Sequence, residues 1–182
     1  EMLTKLQASN AGDYDIVVVS DYMVAIMNEL GGLLKEIDKS KVPNYENLDP
    51  AYLGKFYDPE NLYTVPYGPG APLIVYDPAT CPVEIKGYAD LWNPALQDSL
   101  VLMDSSRVII GITLKTMGRS FNETDTAVLS EAKEKLMGLK PNVRTLSVNN
   151  LQDVILSGEA SAGFMFTSQV AMALDANPEL QV

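Results

Sequence analysis

The feature that most constrains this fold is a series of short apolar runs, each followed by polar residues that can cap a helix. Residues 16–19 (Ile-Val-Val-Val) form such a run, Ser20 and Asp21 follow as a helix N-cap, and Gly31 closes the amphipathic stretch behind them. Continuous apolar runs are typical of strands that are buried on both faces of a parallel sheet. Strands that alternate with helices predict an α/β fold with mostly parallel sheets covered by helices.

The same order recurs along the chain. Predicted strands cover residues 16–19, 73–76, 100–103, 143–146 and 162–166, with a further strand near residues 63–67. Predicted helices follow residues 20, 106, 125 and 168 and also cover residues 88–92 and 151–156. The predicted apolar face of the first helix consists of Met23, Ile26, Met27 and Leu30.

Residues 38–77 interrupt this alternation with six prolines and six tyrosines. Prolines break long helices, so we expect only short pieces here, including a helical turn at residues 48–53. The tyrosines suit the packing of an irregular surface segment, and they also suit a stacking site for a ligand.

Composition excludes several classes of function. Histidine is absent and Cys81 is the only cysteine, so the chain has no Ser-His-Asp or Cys-His machinery, no imidazole metal site and no internal disulfide. The formal net charge of −11 disfavours nucleic acid and anionic membranes as partners, because both require a basic surface. We therefore predict a chain that is not an enzyme, needs no cofactor and binds no nucleic acid.

Three segments combine the end of a predicted strand with the start of a predicted helix: residues 20–22, 104–107 and 166–168. In open α/β sheets, ligands bind beyond the carboxyl ends of the strands, where helix N-termini offer free N–H groups. Each segment also has a simpler interpretation as an ordinary helix cap.

Residues 14–24 (Tyr-Asp-Ile-Val-Val-Val-Ser-Asp-Tyr-Met-Val) resemble a segment of bacterial spermidine/putrescine-binding proteins, the extracellular solute-binding components of ABC importers. The likeness continues in the same order through residues 47–50, 65–67, 88–92 and 140–143. It extends over nearly the whole chain with few gaps.

The resemblance implies a type II periplasmic-binding-protein fold, in which two α/β lobes enclose a ligand cleft. It also implies that this sequence is an internal portion of such a protein. Residues 1–71 would form part of lobe one, and residues 72–182 would form most of lobe two.

The site residues implied by the resemblance are only partly retained. Ser20 and Tyr22 match cleft positions, and Phe166 aligns with a cleft tryptophan. The family has an Asp-Asp-Ala-Arg-Glu segment whose second aspartate and glutamate contact the ammonium groups of polyamines. Here Asp104 remains, whereas Ser105 and Val108 replace those two carboxylates, so we expect this chain to bind polyamines weakly or not at all.

Two functions are consistent with these observations. The first is the solute-binding module of an ABC importer, with a small polyamine-like solute and a membrane permease as partners. Such a module would be extracellular or periplasmic, and a lipid anchor or the permease would hold it at the membrane. The alternative is a ligand-sensing or protein-interaction domain on the same fold that has lost polyamine binding. The predicted ligand-binding residues are Ser20, Asp21, Tyr22, Asp104, Ser105 and Phe166.

Overall fold

The structure, a computed structural model, describes residues 2–10 and 12–182. The chain divides into two compact units, Glu1–Pro69 and Gly70–Val182. Among the described residues, no helix is both long enough and apolar enough to cross a bilayer.

The described residues of the first unit form two α-helices, α1 (Met2–Ala8) and α2 (Asp21–Leu30). Helix α2 follows Ser20, as predicted, and ends at Gly31, whose φ of 70° lies in the region that glycine favours. Three turns of 3₁₀-helix follow, at Lys39–Lys41, Tyr45–Asn47 and Pro50–Tyr52.

The buried face of α2 differs from the predicted one. Val24 and Met27 are its buried residues, whereas Ile26 and Leu30 are exposed. The helical turn predicted at residues 48–53 is confined to Pro50–Tyr52, where the Asp49 carboxylate caps it by accepting from the N–H of Ala51.

The strand predicted at residues 16–19 is wrong. These residues belong to no helix or strand, no neighbour pairs with them within the described ranges, and Ile16 and Val18 are 84% and 73% exposed. A strand needs a partner for its N–H and C=O groups, and an apolar run alone does not supply one.

The strand predicted near residues 63–67 is also wrong. The N–H groups of Tyr63 and Thr64 donate to the carboxylate of Asp58 instead of to a neighbouring strand. Pro66 has no N–H to offer to a ladder.

The second unit contains one four-stranded sheet. Its strands are β1 (Pro72–Tyr76), β2 (Leu100–Met103), β3 (Val143–Ser147) and β4 (Ala162–Phe166), in the spatial order β1-β4-β2-β3. Strand β2 runs parallel to both β3 and β4, and β1 pairs antiparallel with β4. The predicted mostly parallel sheet is confirmed here.

Four α-helices accompany this sheet: α3 (Ser106–Thr116), α4 (Thr126–Met137), α5 (Leu151–Leu156) and α6 (Thr167–Ala176). Residues 88–92 form a 3₁₀-helix, Tyr88–Trp92, where a short helix was predicted.

The core of the second unit lies around β2 and β4. All four residues of β2 are buried, and Phe164 of β4 is buried beside them. The two strands approach so closely that a Cβ at Gly163 would lie 2.1 Å from the carbonyl oxygen of Val101. Only glycine fits this position without a shift of the backbone.

Candidate functional site

The carboxyl ends of β2 and β4 meet at one edge of the sheet in the second unit. Leu102 and Phe164 form the last pair of the parallel ladder, and Asp104 and Phe166 each follow that pair by two residues, at the same edge of the sheet. Strand β3 ends at the same edge, where the N–H of Asp104 donates to the carbonyl of Ser147 at 2.8 Å. The antiparallel strand β1 begins there, with Pro72 opposite Phe166. We call this the carboxyl edge.

Phe166 forms the aromatic part of the carboxyl edge. It is the last residue of β4 and the N-cap residue of α6, and its side chain is 38% exposed. A Cβ at Gly70 would lie 3.5 Å from Cδ1 of Phe166, so the backbone of Gly70 packs against the ring. The N–H of Thr167 donates to the carbonyl of Ala71 at 3.1 Å. The ring is therefore held from one side and partly open to solvent.

The hydroxyl of Tyr88 fixes the strand that lies opposite Phe166. It donates to the carbonyl of Pro72, and its ring meets that of Phe164 edge to face at 6.5 Å. Burial raises the pKa of Tyr88, so the hydroxyl stays protonated and remains a donor at neutral pH.

Asp104 and Ser105 supply the polar groups of the carboxyl edge. Asp104 is exposed, and its carboxylate makes no hydrogen bond or ion pair with any residue that the structure describes. Ser105 is the N-cap residue of α3, with φ −140° and ψ 104°, but its side chain makes no capping hydrogen bond. These two polar side chains are therefore not used to stabilise the fold.

Ser20 and Ser105 occupy the N-cap positions of α2 and α3, as the simpler interpretation predicts, but their side chains make no capping hydrogen bond. At α4, by contrast, the Asp125 carboxylate accepts from the N–H groups of Ala127 and Val128 at 2.8 and 3.1 Å. Neither Ser20 nor Ser105 makes a comparable bond, and Phe166 has no side-chain acceptor. The first N–H groups of α3 and α6 thus remain without a side-chain cap at the carboxyl edge.

The other three predicted residues lie together at the start of α2, in the first unit. The N–H of Tyr22 donates to Oδ1 of Asp21 at 2.7 Å, and the carbonyl of Ser20 accepts from the N–H of Met23 at 2.9 Å. Ser20 and Asp21 are exposed, and Tyr22 is half-buried. The structure therefore gives two groups, Ser20 to Tyr22 in one unit and Asp104, Ser105 and Phe166 in the other.

Asp58 is an organising residue that the sequence did not reveal. It is buried, and its carboxylate accepts from the N–H groups of Leu62, Tyr63 and Thr64 at 2.9 Å each and from the Thr64 hydroxyl at 2.8 Å. Burial by itself raises the pKa of Asp58, but these hydrogen bonds together outweigh it and lower the pKa below its ordinary value.

Asp58 also affects the neighbouring tyrosines. Burial chiefly raises the pKa of Tyr57, and the charges of Asp21 and Asp58 raise it further. The pKa of Tyr45 is raised by burial and then by the charge of Asp58. These two tyrosines of the irregular segment are half-buried and lie within range of the Asp58 charge, in keeping with the packing interpretation.

A cleft of about 260 Å³ lies beside Asp58 within the first unit. Its walls include Met27, Gly31, Gly32, Glu60 and Tyr63. Across residues 2–10 and 12–182, no cluster of three or more acidic or cysteine side chains is placed to hold a metal ion.

The chain belongs to the family of bacterial extracellular solute-binding proteins, whose sequence model matches residues 1–182. Among curated relatives, it is 38% identical over all of its 182 residues to the spermidine/putrescine-binding periplasmic protein of Salmonella typhimurium, and 36% identical to that of Escherichia coli. It is 30% identical over 148 residues to a putrescine/cadaverine-binding protein of Pseudomonas aeruginosa. The chain spans about half the length of these relatives: 52%, 52% and 41%.

Solved structures give the same fold. A Listeria monocytogenes protein assigned to spermidine/putrescine ABC transport matches 99% of this chain and 55% of its own, with a TM-score of 0.92 and 30% identity. The substrate-binding protein of a spermidine/putrescine ABC transporter from Streptococcus pneumoniae matches over the same shares, with a TM-score of 0.79 and 29% identity.

These findings confirm the predicted family and the periplasmic-binding-protein fold class. The family is described by solute binding outside the cell and not by catalysis, which agrees with the prediction of a non-enzymatic chain. The relatives reported above carry binding-protein or transporter names, so the alternative of a sensor or interaction domain is not favoured.

Proposed function

We propose that this chain is the solute-capturing part of an ABC importer and that the carboxyl edge of its second unit contacts a small amine-bearing solute. The observation that carries the proposal is the exposed carboxylate of Asp104 and the half-buried hydroxyl of Ser105, neither of them used in a cap or an ion pair, at the same edge as the partly exposed ring of Phe166. Because neither side chain is engaged in a cap or an ion pair, both groups can contact a solute without breaking an interaction of the fold.

Each residue has a defined part in this proposal. The Asp104 carboxylate pairs with an ammonium group, and a hydrogen bond to a charged group of this kind contributes about 1.5–3 kcal/mol. The Ser105 hydroxyl donates to or accepts from a polar group of the solute. The Phe166 ring packs against the solute's methylene groups and attracts its cation through the face of the ring.

We also propose a solute site in the first unit and a boundary between two lobes. Ser20, Asp21 and Tyr22 are the proposed solute contacts of lobe one, and residues 1–71 and 72–182 are the proposed lobes. The division of the chain into compact units after Pro69 supports that boundary.

The cellular setting follows from the names of the relatives. Proteins called spermidine/putrescine-binding periplasmic proteins support a role outside the cytoplasmic membrane, with a membrane permease as partner. We propose that a lipid anchor or the permease itself holds the chain at the membrane.

Thermal unfolding in the presence of small amines, namely the monoamine aminobutanol and the polyamines putrescine and spermidine, tests the proposal. A solute at about ten times its Kd stabilises a folded chain by about 1.4 kcal/mol, which raises Tm by about 3 °C for a chain of this size. We expect this rise for the chain itself and its loss in Asp104→Asn. Asp175→Asn removes the same charge from an exposed position at the far end of α6 and serves as the matched control.

An equal rise in Tm for all three proteins would show that amines act through the overall negative charge, and no rise at millimolar amine would remove the proposed function. Sodium chloride matched to the amine's ionic strength separates screening from binding.

A further inference from the structure

The carboxyl edge carries a single carboxylate, although the chain as a whole is strongly acidic. The segments that form this edge are residues 70–72, 104–107, 147–150 and 166–168. Their only charged residues are Asp104 and Arg107, and their other polar residues are serines, asparagines and a threonine. The formal charge of the edge is therefore zero, against −11 for the whole chain.

The two charged groups of the edge have different surroundings. Nη2 of Arg107 donates to Oδ1 of Asn122 at 2.9 Å, which ties the guanidinium to the loop between α3 and α4. The Asp104 carboxylate has no partner within the described part of the chain, whereas Asp98 at the opposite edge pairs with Arg144 at 2.9 Å. One anionic group is thus available at the carboxyl edge.

Ser105 follows Asp104 directly in the sequence and is a neutral residue. It is half-buried at the N-cap of α3, and its hydroxyl is not used for capping. A hydroxyl can satisfy the hydrogen bonds of an ammonium group but cannot neutralise its charge. One turn into α3, the half-buried Val108 adds only apolar surface.

We propose that the second unit recognises a solute with one ammonium group and a neutral polar group, with Asp104 pairing the ammonium and Ser105 selecting against a second one. This inference rests on the proposed function and names the class of solute for the same edge. An amino alcohol matches the one carboxylate of Asp104 and the hydroxyl of Ser105. A diamine bound along this edge would leave one of its ammonium groups without an anionic partner.

Titration of the 182-residue chain by NMR, with two matched amines, tests the inference. The probes are putrescine, which has two ammonium groups, and aminobutanol, in which a hydroxyl replaces one of the two ammonium groups of putrescine. We expect the chain to bind aminobutanol at least as tightly as putrescine in about 0.15 M salt.

Ser105→Asp adds the missing anionic group in a form that should keep α3 folded, because aspartate is a favoured N-cap residue. We expect it to improve the affinity for putrescine relative to aminobutanol by roughly tenfold. Gln97→Glu adds the same charge just before β2, at the opposite edge of the sheet, and should leave the ratio of the two affinities unchanged.

A tenfold preference of the unmodified chain for putrescine would overturn the inference while leaving the proposed function intact. An unchanged ratio in Ser105→Asp, or an equal change in Gln97→Glu, would overturn it as well. If the chain binds neither putrescine nor aminobutanol, the proposed function and this inference are both overturned.

Discussion

The two compact units are stabilised by different kinds of interaction. In the second unit, four strands pair across one sheet, and the residues of β2 are buried against helices. In the first unit, the described residues form two helices and a series of short turns, and Asp58 gathers the backbone of residues 62–64 through side-chain hydrogen bonds. One unit depends on apolar packing and strand pairing, and the other depends on local polar contacts.

Two runs of four apolar residues make this difference concrete. Residues 100–103 form a buried strand because β3 and β4 flank them on both sides. Residues 16–19 have the same apolar pattern, yet they form no ladder with any residue that the structure describes. The difference teaches that an apolar run becomes a strand only where a neighbouring strand pairs with its backbone, on both sides for β2 and on one side for the edge strands β1 and β3.

Hydrogen exchange should show the largest contrast between the two units. Unpaired backbone opens with a free energy near zero, whereas the central strands of a core open only with much of the unfolding free energy. We expect the amides of residues 16–19 to exchange at least roughly a thousandfold faster than those of residues 100–103 and 162–166. Mass spectrometry on a demonstrated monomer measures this ratio, and slower exchange at residues 16–19 would reverse the comparison.

Gly163→Val should be the most damaging single substitution in the second unit. Its side chain would have to displace the backbone of Val101, since a Cβ alone would lie 2.1 Å from that carbonyl oxygen. We expect a loss of roughly 3 kcal/mol or more. Trp92, the only tryptophan and a residue of the second unit, reports this unfolding by fluorescence.

Gly68→Val is the matched control, because no atom lies within 4 Å of a Cβ at that position. Similar losses for the two variants would mean that the close approach of β2 and β4 does not decide stability.

Asp58→Asn should weaken the first unit by a smaller amount. The asparagine side chain keeps one acceptor oxygen but places its NH₂ group against the N–H donors of residues 62–64. We therefore expect the first unit to lose about 2 kcal/mol of stability. Hydrogen exchange in peptides that cover residues 45–64 should rise, with little change in those that cover β2 and β4. Asp15→Asn, at an exposed position, removes the same charge and should have no such effect.

The pH dependence of the first unit should follow from Asp58. The pKa of Asp58 is lowered in the folded state. The stability that its carboxylate contributes is therefore fully present above the ordinary pKa of 3.8, and it is lost as the pH falls through the lower folded-state pKa. We expect exchange in residues 45–64 to increase as the pH falls below about 4, after correction for intrinsic rates. Asp58→Asn should flatten this response, and an unchanged response in that variant would assign it to another group.

Much of the second unit could be predicted from the sequence. Its strands and α5 appear where apolar runs and capping residues indicated, because each run has its partners within residues 70–182. The convergence of Asp104 and Phe166 could also be predicted, since parallel strands bring their carboxyl ends to one edge.

The first unit was less predictable because its interactions are not periodic. Nothing in the local pattern marks Asp58 as buried, since its four hydrogen bonds come from residues four to six positions further along the chain. Helix α1 was not predicted at all, and it buries no residue completely. The exposed state of Ile16 depends on which segments are present to pair with it, which a local pattern does not encode.

The most direct test of the solute site is to map amide chemical shifts in the 182-residue chain during a titration with aminobutanol. In the second unit, we expect the changes to be confined to residues 104–107, 147–150 and 166–168, with none at residues 77–81 or 97–99 at the opposite edge. Shift changes confined to the cleft beside Asp58, or spread evenly over acidic surface residues, would contradict a solute site at the carboxyl edge.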